Sequence, residues 1–316
     1  MLRDGYIYVP AKVEEDNDGE EIEEIPESFR NDWKHCEQIK VLHDSVPVAQ
    51  DDKIDTEDFI SSSNILDLQS IRNTNMLEES ILVHWKYPPD ATSTIRISTL
   101  LEPDAMAPLF SGAEWAGTRV WDAAVECIHY LFEYLRNNTF ENERPLRMLE
   151  GSTVLELGCG LGLPGMVSFL GMRAKHVVLT DQEQILQQLK RNLELNFNAQ
   201  KDGRKIEART LAWSRNGVIR LTEDLNFSQG FDYVLNCDCV YEPLYGKSWV
   251  ALVECIDELL RLNPKATVLS SCERRNHDGV DRFVSAMEES HHVKAVSRVH
   301  VKGPVEIYQT IGHGID

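Results

Sequence analysis

The chain has 316 residues, 42% of them hydrophobic, and carries a formal net charge of −20. That size and apolar content suit one large domain with an appendage, or two modest domains, and no run of 18 or more apolar residues is present to cross a membrane as a helix. Such an acidic surface repels a phosphate backbone, so nucleic acid is not an expected partner, whereas a basic or lysine-presenting protein surface is.

The acid is concentrated early: the first 60 residues hold 18 Asp and Glu against 6 Lys and Arg. The stretch EEDNDGEEIEE at 14–24 has too few apolar side chains to fold alone. We read 1–75 as an acidic N-terminal extension, partly disordered or accessory, and 76–316 as the folded domain. The opening MLRDGYIYVP has no apolar core segment, so no secretory signal is expected. Seven cysteines, at 36, 127, 159, 237, 239, 255 and 272, read as reduced thiols of a monomeric cytoplasmic protein, with the nucleus as a second compartment. Cys237-x-Cys239 lacks a second pair at zinc spacing, so no metal is expected.

Order begins at ESILVHWKYPPDATSTIRISTLLEP, where two apolar runs flank Pro88-Pro89-Asp90; the pattern predicts a hairpin over 80–100. Residues 119–136 place Val120, Ala124, Cys127, Ile128, Leu131 and Leu135 on one helical stripe. Strands are then predicted at 153–157, 176–180, 206–213, 231–238 and 266–273. Helices follow from Pro164, through QILQQLKRNLELN, through SWVALVECIDELLRL and over 278–289. Two last strand-like runs surround Gly303-Pro304. Strand–helix alternation of this kind makes an α/β, doubly wound, mostly parallel sheet. The two closing strands are too close in sequence for a parallel crossover and should form an antiparallel hairpin at the sheet edge.

The run VLELGCGLGLPG (154–165) ends the first of these strands in a turn with glycines at 158, 160 and 162. Ligands of such sheets bind beyond the carboxyl ends of the strands, and a backbone without Cβ atoms lets one approach closely. Gly160-x-Gly162-x-x-Gly165, with Asp181 about 20 residues on, also satisfies a dinucleotide fingerprint. S-adenosylmethionine is the competing ligand, because its ribose diol too needs a carboxylate such as Asp181. Glu156 favours the second: it repels a pyrophosphate but attracts an ammonium and a sulfonium. At the end of the fourth strand, Asp238-x-x-Tyr241 is suited to frame a reacting amine, the acid orienting an N–H and the ring facing a cation. Trp213, after the third strand, is placed to lie against an adenine or in the core.

Taken in order, VWDAA, VLELGCGLGLPG, the TD at 180–181, LAW and CDCVYE resemble the seven-strand protein methyltransferases of family 16, and within it the protein-lysine methyltransferases. The terminal stretch SCERRNHDGVDRFVSAMEES is similar too. The resemblance covers roughly 80–316 and implies a seven-stranded sheet with S-adenosylmethionine as cofactor. It further implies that Trp121 packs against the cofactor, that Gly158, Cys159 and Gly160 form its glycine turn, and that Asp181 binds the ribose. Trp213 would cover the adenine, Cys237 would touch the cofactor from the fourth strand, and Asp238 and Tyr241 would line the acceptor site. Cys159 and Cys237 stand where relatives often carry alanine. The implied activity is N-methylation of a protein side chain, lysine first. A small-molecule or protein-histidine N-methyltransferase is the alternative, and a non-catalytic interaction module a second.

Overall fold

The computed structural model of the chain describes residues 81–86, 92–98, 117, 120–137, 149–197 and 203–313, with four two-residue strands nearer the N-terminus. The boundary at residue 75 and the acidic stretch at 14–24 lie outside the described residues. The predicted hairpin is present: β1 (Ile81–Lys86) pairs antiparallel with β2 (Thr92–Ile97).

The central sheet has seven strands. Five are parallel: β3 (Thr153–Leu157), β4 (His176–Asp181), β5 (Lys205–Thr210), β6 (Tyr233–Cys237) and β7 (Thr267–Glu273). The closing pair β8 (Val293–Lys302) and β9 (Val305–Gly312) is antiparallel, and β9 also lies antiparallel to β7. Only Gly303-Pro304 links them, far too short a connection for a parallel crossover. The spatial order is β8-β9-β7-β6-β3-β4-β5. Strand order therefore reverses between β3 and β6, and the crevice above their carboxyl ends is where an open α/β sheet takes its ligand.

Helices cover both faces. On one side lie α1 (Asp122–Asn137), α2 (Leu163–Leu170) and α3 (Glu183–Phe197); on the other lie α4 (Arg215–Asp224), α6 (Trp249–Leu262) and α7 (Val280–Glu288), while the single-turn α5 (Glu242–Tyr245) follows β6. Because successive strand residues point to opposite faces, each strand feeds two cores. Val154, Val177, Leu179, Leu235 and Leu269 join the first, with Ile128, Leu131 and Met166. Leu155, Val178, Val234 and Val268 join the second, with Val218, Leu252, Ile256 and Phe283. Each such side chain contributes roughly 1.5–3 kcal/mol of burial free energy.

Polar side chains dock the hairpin. Asn192 Oδ1 accepts the Ser98 N–H at 2.8 Å, and Asn196 accepts the Arg96 N–H at 2.8 Å while donating to the Arg96 carbonyl at 2.7 Å. Gln188 donates to the Ser98 carbonyl. Spaced four residues apart along α3, these amides act as a partner strand for β2, and Ile95 and Ile97 are fully buried behind them.

Two boundaries differ from the sequence reading. The third strand stops at Thr210, and α4, which the sequence reading lacked, starts after Ser214, whose Oγ accepts the Gly217 N–H at 3.0 Å. Trp121 precedes α1 rather than lying inside it, and its carbonyl accepts the Ala124 N–H at 2.9 Å.

Candidate active site

A cavity of about 540 Å³ opens at the β3/β6 reversal, within the usual size range for small-molecule sites. Trp121, Glu156, Gly158, Cys159, Gly160, Asp181, Trp213, Cys237 and Asp238 all line it. Tyr241 does not; Tyr245, one helical turn later, does.

The floor is the glycine turn. Gly158 and Gly160 have φ of +59° and +52°, a region that side chains with a Cβ avoid. A Cβ on Gly158 would lie 2.7 Å from Cys239 Sγ and 3.0 Å from Trp213 Cζ2, and one on Gly160 would lie 2.9 Å from the Gly117 carbonyl oxygen. The turn is tied to the end of β4 by Asp181, whose Oδ2 accepts the Gly160 N–H at 2.7 Å and whose Oδ1 accepts the Gln182 N–H at 2.7 Å. Each oxygen keeps a lone pair for a hydroxyl. Burial holds this carboxyl above its ordinary value, against those two donors.

Glu156 is 1% exposed, and its Oε2 accepts the Gly165 N–H at 2.8 Å in the first turn of α2. The protein's own carboxylate thus stands where a dinucleotide fold seats its pyrophosphate. Burial drives Glu156 up to about 8, the Gly165 N–H opposing and Asp181 adding to the rise. Among the described residues, three carboxyl side chains, Glu156, Asp181 and Asp238, line the cavity, and no Lys, Arg or His does. The wall fits a cationic ligand with a diol and rejects a diphosphate.

Three thiols complete the wall. Burial holds Cys159 and Cys239 well above the usual thiol range, and Cys237 is held there first by its neighbour Cys127 and then by burial. The six described cysteines are free, and no metal-holding group of His, Cys, Asp or Glu exists among the described residues.

At the end of β6, Asp238 adopts φ +56°, a left-handed conformation that costs a non-glycine residue about 1–3 kcal/mol. Its N–H donates to the Ser271 carbonyl at 2.8 Å. Arg275 grips its carboxylate with both arms, Nη1 to Oδ1 at 3.0 Å and Nη2 to Oδ2 at 2.7 Å, and the Glu273 N–H donates to Oδ1 at 3.3 Å. The guanidinium also meets Glu273 Oε2 at 2.5 Å and lies 5.5 Å from the Trp121 ring and 5.0 Å from the Tyr241 ring. Burial alone would lower Arg275, but Asp238 and then Glu273 more than offset it and hold the group protonated. Burial pushes Glu273 up to about 7 and Tyr245 well above the phenol range. Trp121 is held against this cluster because Ser271 Oγ donates to the Ala123 carbonyl at 2.7 Å, joining β7 to the start of α1.

Sequence reasoning missed Cys239, Tyr245, Glu273 and Arg275 as site residues. Tyr245 was visible only as a loop marker, although Pro243 in the first turn of a short helix was a signal that one turn would carry Tyr245 beside Asp238. Arg275 lies in SCERRNHDGVDRFVSAMEES, a stretch whose family resemblance assigned no role to any one residue.

A family profile described as lysine methyltransferase matches residues 111–290. The secreted RxLR effector protein 48 of Plasmopara viticola is 40% identical over 137 residues, 40% of this chain and 66% of that protein. Protein-lysine N-methyltransferase EFM3 of Chaetomium thermophilum is 26% identical over 189 residues, 60% of this chain and 51% of that protein. Its namesake from Saccharomyces cerevisiae is 24% identical over 261 residues, 80% and 68% respectively. The chain spans about half to two thirds of the length of these relatives.

Proposed function

The chain belongs to the lysine methyltransferase family, and from that premise we propose that it transfers a methyl group from S-adenosylmethionine to a lysine side chain of another protein. The observation that carries this reading is the cavity wall, with three acids and no basic side chain among the described residues, and the α2 N-terminus already taken by Glu156. Asp181 and the glycine turn would hold the ribose side, Trp213 the adenine and Trp121 the sulfonium end, with Cys159 and Cys237 in contact alongside. Glu156 would offer the ammonium its charge.

Once bound, S-adenosylmethionine would supply an electrophilic methyl on a positively charged sulfur, which an amine lone pair could take as the C–S bond electrons return to sulfur, the N-methylated product giving up its proton to water. The protein's part is alignment, which supplies roughly 7–11 kcal/mol in favourable cases. Asp238 is bound by three donors, so it acts on the amine by position rather than as a strong base. The acceptor lysine, with an ordinary pKa of about 10.4, arrives neutral or loses its proton to solvent, helped by desolvation and the neighbouring sulfonium. Asp238 orients the amine, and the Tyr245 phenol, kept neutral, offers it one more polar contact. Tyr241 backs this corner through Arg275.

No described helix is long and apolar enough to cross a membrane. Among the described residues, the exposed large apolar side chains Leu195, Val250, Val301 and Ile311 are scattered among different elements, which supports a monomer. A cytoplasmic site of action, with the nucleus as a second, fits a wall of reduced thiols.

Tritiated S-adenosylmethionine incubated with the chain and a cell extract tests the reading. Labelled protein bands that yield methyl-lysine on hydrolysis support it. Label in methyl-histidine or in the small-molecule fraction would move the acceptor to the alternative classes, and calorimetry without cofactor binding would leave a non-catalytic module.

Glu156 adds a pH signature. Its carboxyl sits higher in the folded chain than in the unfolded one, so its contribution to stability is complete below about pH 4.5 and is lost as pH rises through about 8. A cation bound beside it reverses the preference and expels the proton. Cofactor binding near pH 7 is therefore expected to release a proton, seen as a calorimetric heat that differs between phosphate and Tris buffers. Glu156→Gln, which keeps an oxygen for the Gly165 N–H, removes that difference. Equal heats in the two buffers for the native chain would separate Glu156 from the cofactor.

A further inference from the structure

Behind the acceptor side of the cavity, on the far side of Asp238, lies a cation that the reaction so far does not use. Arg275 is 9% exposed at its side chain, and its position is fixed twice. Its backbone N–H donates to Asp278 Oδ2 at 3.0 Å, and the same oxygen takes Arg274 Nε at 2.9 Å while Asp278 Oδ1 accepts the Val280 N–H at 2.9 Å. Its guanidinium is locked onto Asp238 and Glu273 between the Trp121 and Tyr241 rings. A planar fork matched to a carboxylate fixes the plane of that carboxylate as well as its charge.

The two Asp238 oxygens are not equivalent. Among the described residues, Oδ1 takes two donors, Arg275 Nη1 and the Glu273 N–H, whereas Oδ2 takes only Arg275 Nη2. An oxygen with two lone pairs and one donor keeps one place. Resting on the methyltransferase reading, we propose that Arg275 is the positioning residue of methyl transfer: it acts through Asp238, presenting Oδ2 to one N–H of the acceptor amine so that the nitrogen lone pair points at the methyl carbon. Arg275 touches neither methyl donor nor acceptor.

A second effect follows from its charge. A bare Asp238 would stabilise the acceptor as an ammonium, which has no lone pair to give, and the guanidinium cancels that preference. The other groups around the acceptor corner are Tyr241 just before α5 and Tyr245 within it, Cys237 at the end of β6 and Cys239 just after it, Asp122 from α1 and Glu273 from β7. None of these is a cation, so the cancellation falls to Arg275 among the described residues.

The test uses the full chain with Arg275→Ala and Arg275→Lys. Calorimetry with S-adenosylhomocysteine is expected to give affinities within about threefold of native, while transfer by Arg275→Ala to extract proteins falls about 100-fold, the cost of a misplaced reacting group. The pH at which its transfer rate reaches half-maximum rises by about one unit. Guanidinium chloride at roughly 10 mM restores at least about tenfold of the lost rate, and binds Arg275→Ala in calorimetry but neither the native chain nor Arg275→Ala/Asp238→Asn. Arg275→Lys, with the charge but not the fork, falls about tenfold in kcat with little change in KM.

Native-like transfer by either variant overturns the proposal. So does a folded Arg275→Ala that guanidinium neither binds nor rescues, or whose pH profile is unmoved. If Arg275→Ala loses its melting transition, the kcat of Arg275→Lys decides. A native chain that binds no S-adenosylhomocysteine sinks the methyltransferase reading and this role with it; a native chain that binds and transfers, beside variants that do the same, sinks this role alone.

Discussion

Gly158→Val is expected to weaken binding of S-adenosylhomocysteine by at least about 100-fold, more than any other single change to the cofactor side of the cavity. The new Cβ would sit 2.7 Å from Cys239 Sγ and 3.0 Å from Trp213 Cζ2, so one of these walls must move into space the ligand needs. The backbone there has φ +59°, where a residue with a Cβ costs roughly 1–2 kcal/mol. Strain and obstruction are separable. Gly203 has φ +75° with nothing within 4 Å of a Cβ, so Gly203→Ala carries the strain without the collision and should bind normally. Calorimetry on both variants, with melting curves as the control for folding, checks the expectation. Binding by Gly158→Val within about threefold of native would remove the glycine turn from the cofactor site.

Asp238 should carry the largest effect on turnover, and the choice of substitute matters. Asn is at home at φ +56° because its short polar side chain tolerates the left-handed region. Asp238→Asn therefore removes the charge while keeping the backbone. Transfer is expected to drop about 10²–10³-fold, the usual scale for losing a group that acts in the transition state, with cofactor affinity little changed. Asp238→Ala loses as much transfer and also strands a buried guanidinium, which should cost about 3–5 kcal/mol of stability. Radiometric assays and urea denaturation separate the two outcomes. Native-rate transfer by Asp238→Asn would exclude Asp238 from the acceptor site.

The sequence made the sheet legible wherever a strand was buried on both faces. TVLEL, HVVLT and ATVLSSCE are dense apolar runs, and each lies within a residue of its strand. The same logic failed at LAW. An apolar Leu and Trp after IEART look like more strand, but β5 is an edge strand with one partner, and its pairing ends where Thr210 meets Asp181. Helix α4 stayed hidden because RNGVIRLTED buries only Val218, Leu221 and Thr222 and holds a glycine in its first turn. Most of the candidate site was legible for a different reason: its residues sit at strand ends, where chain order alone brings them to one crevice. Arg275 was not, because a charge run gives no sign that one member folds inward. Only the three-dimensional placement of Asp238 and Glu273 explains why that arginine is buried rather than solvated.

The thiols of the cavity wall have a chemical consequence. A sulfonium that methylates an amine would methylate a thiolate more readily, since sulfur in its anionic form is the better nucleophile. Cys159, Cys237 and Cys239 all border the space assigned to that donor, yet their surroundings keep each one protonated. The surroundings of these thiols would thus spare the chain from alkylation by the methyl donor proposed for this cavity.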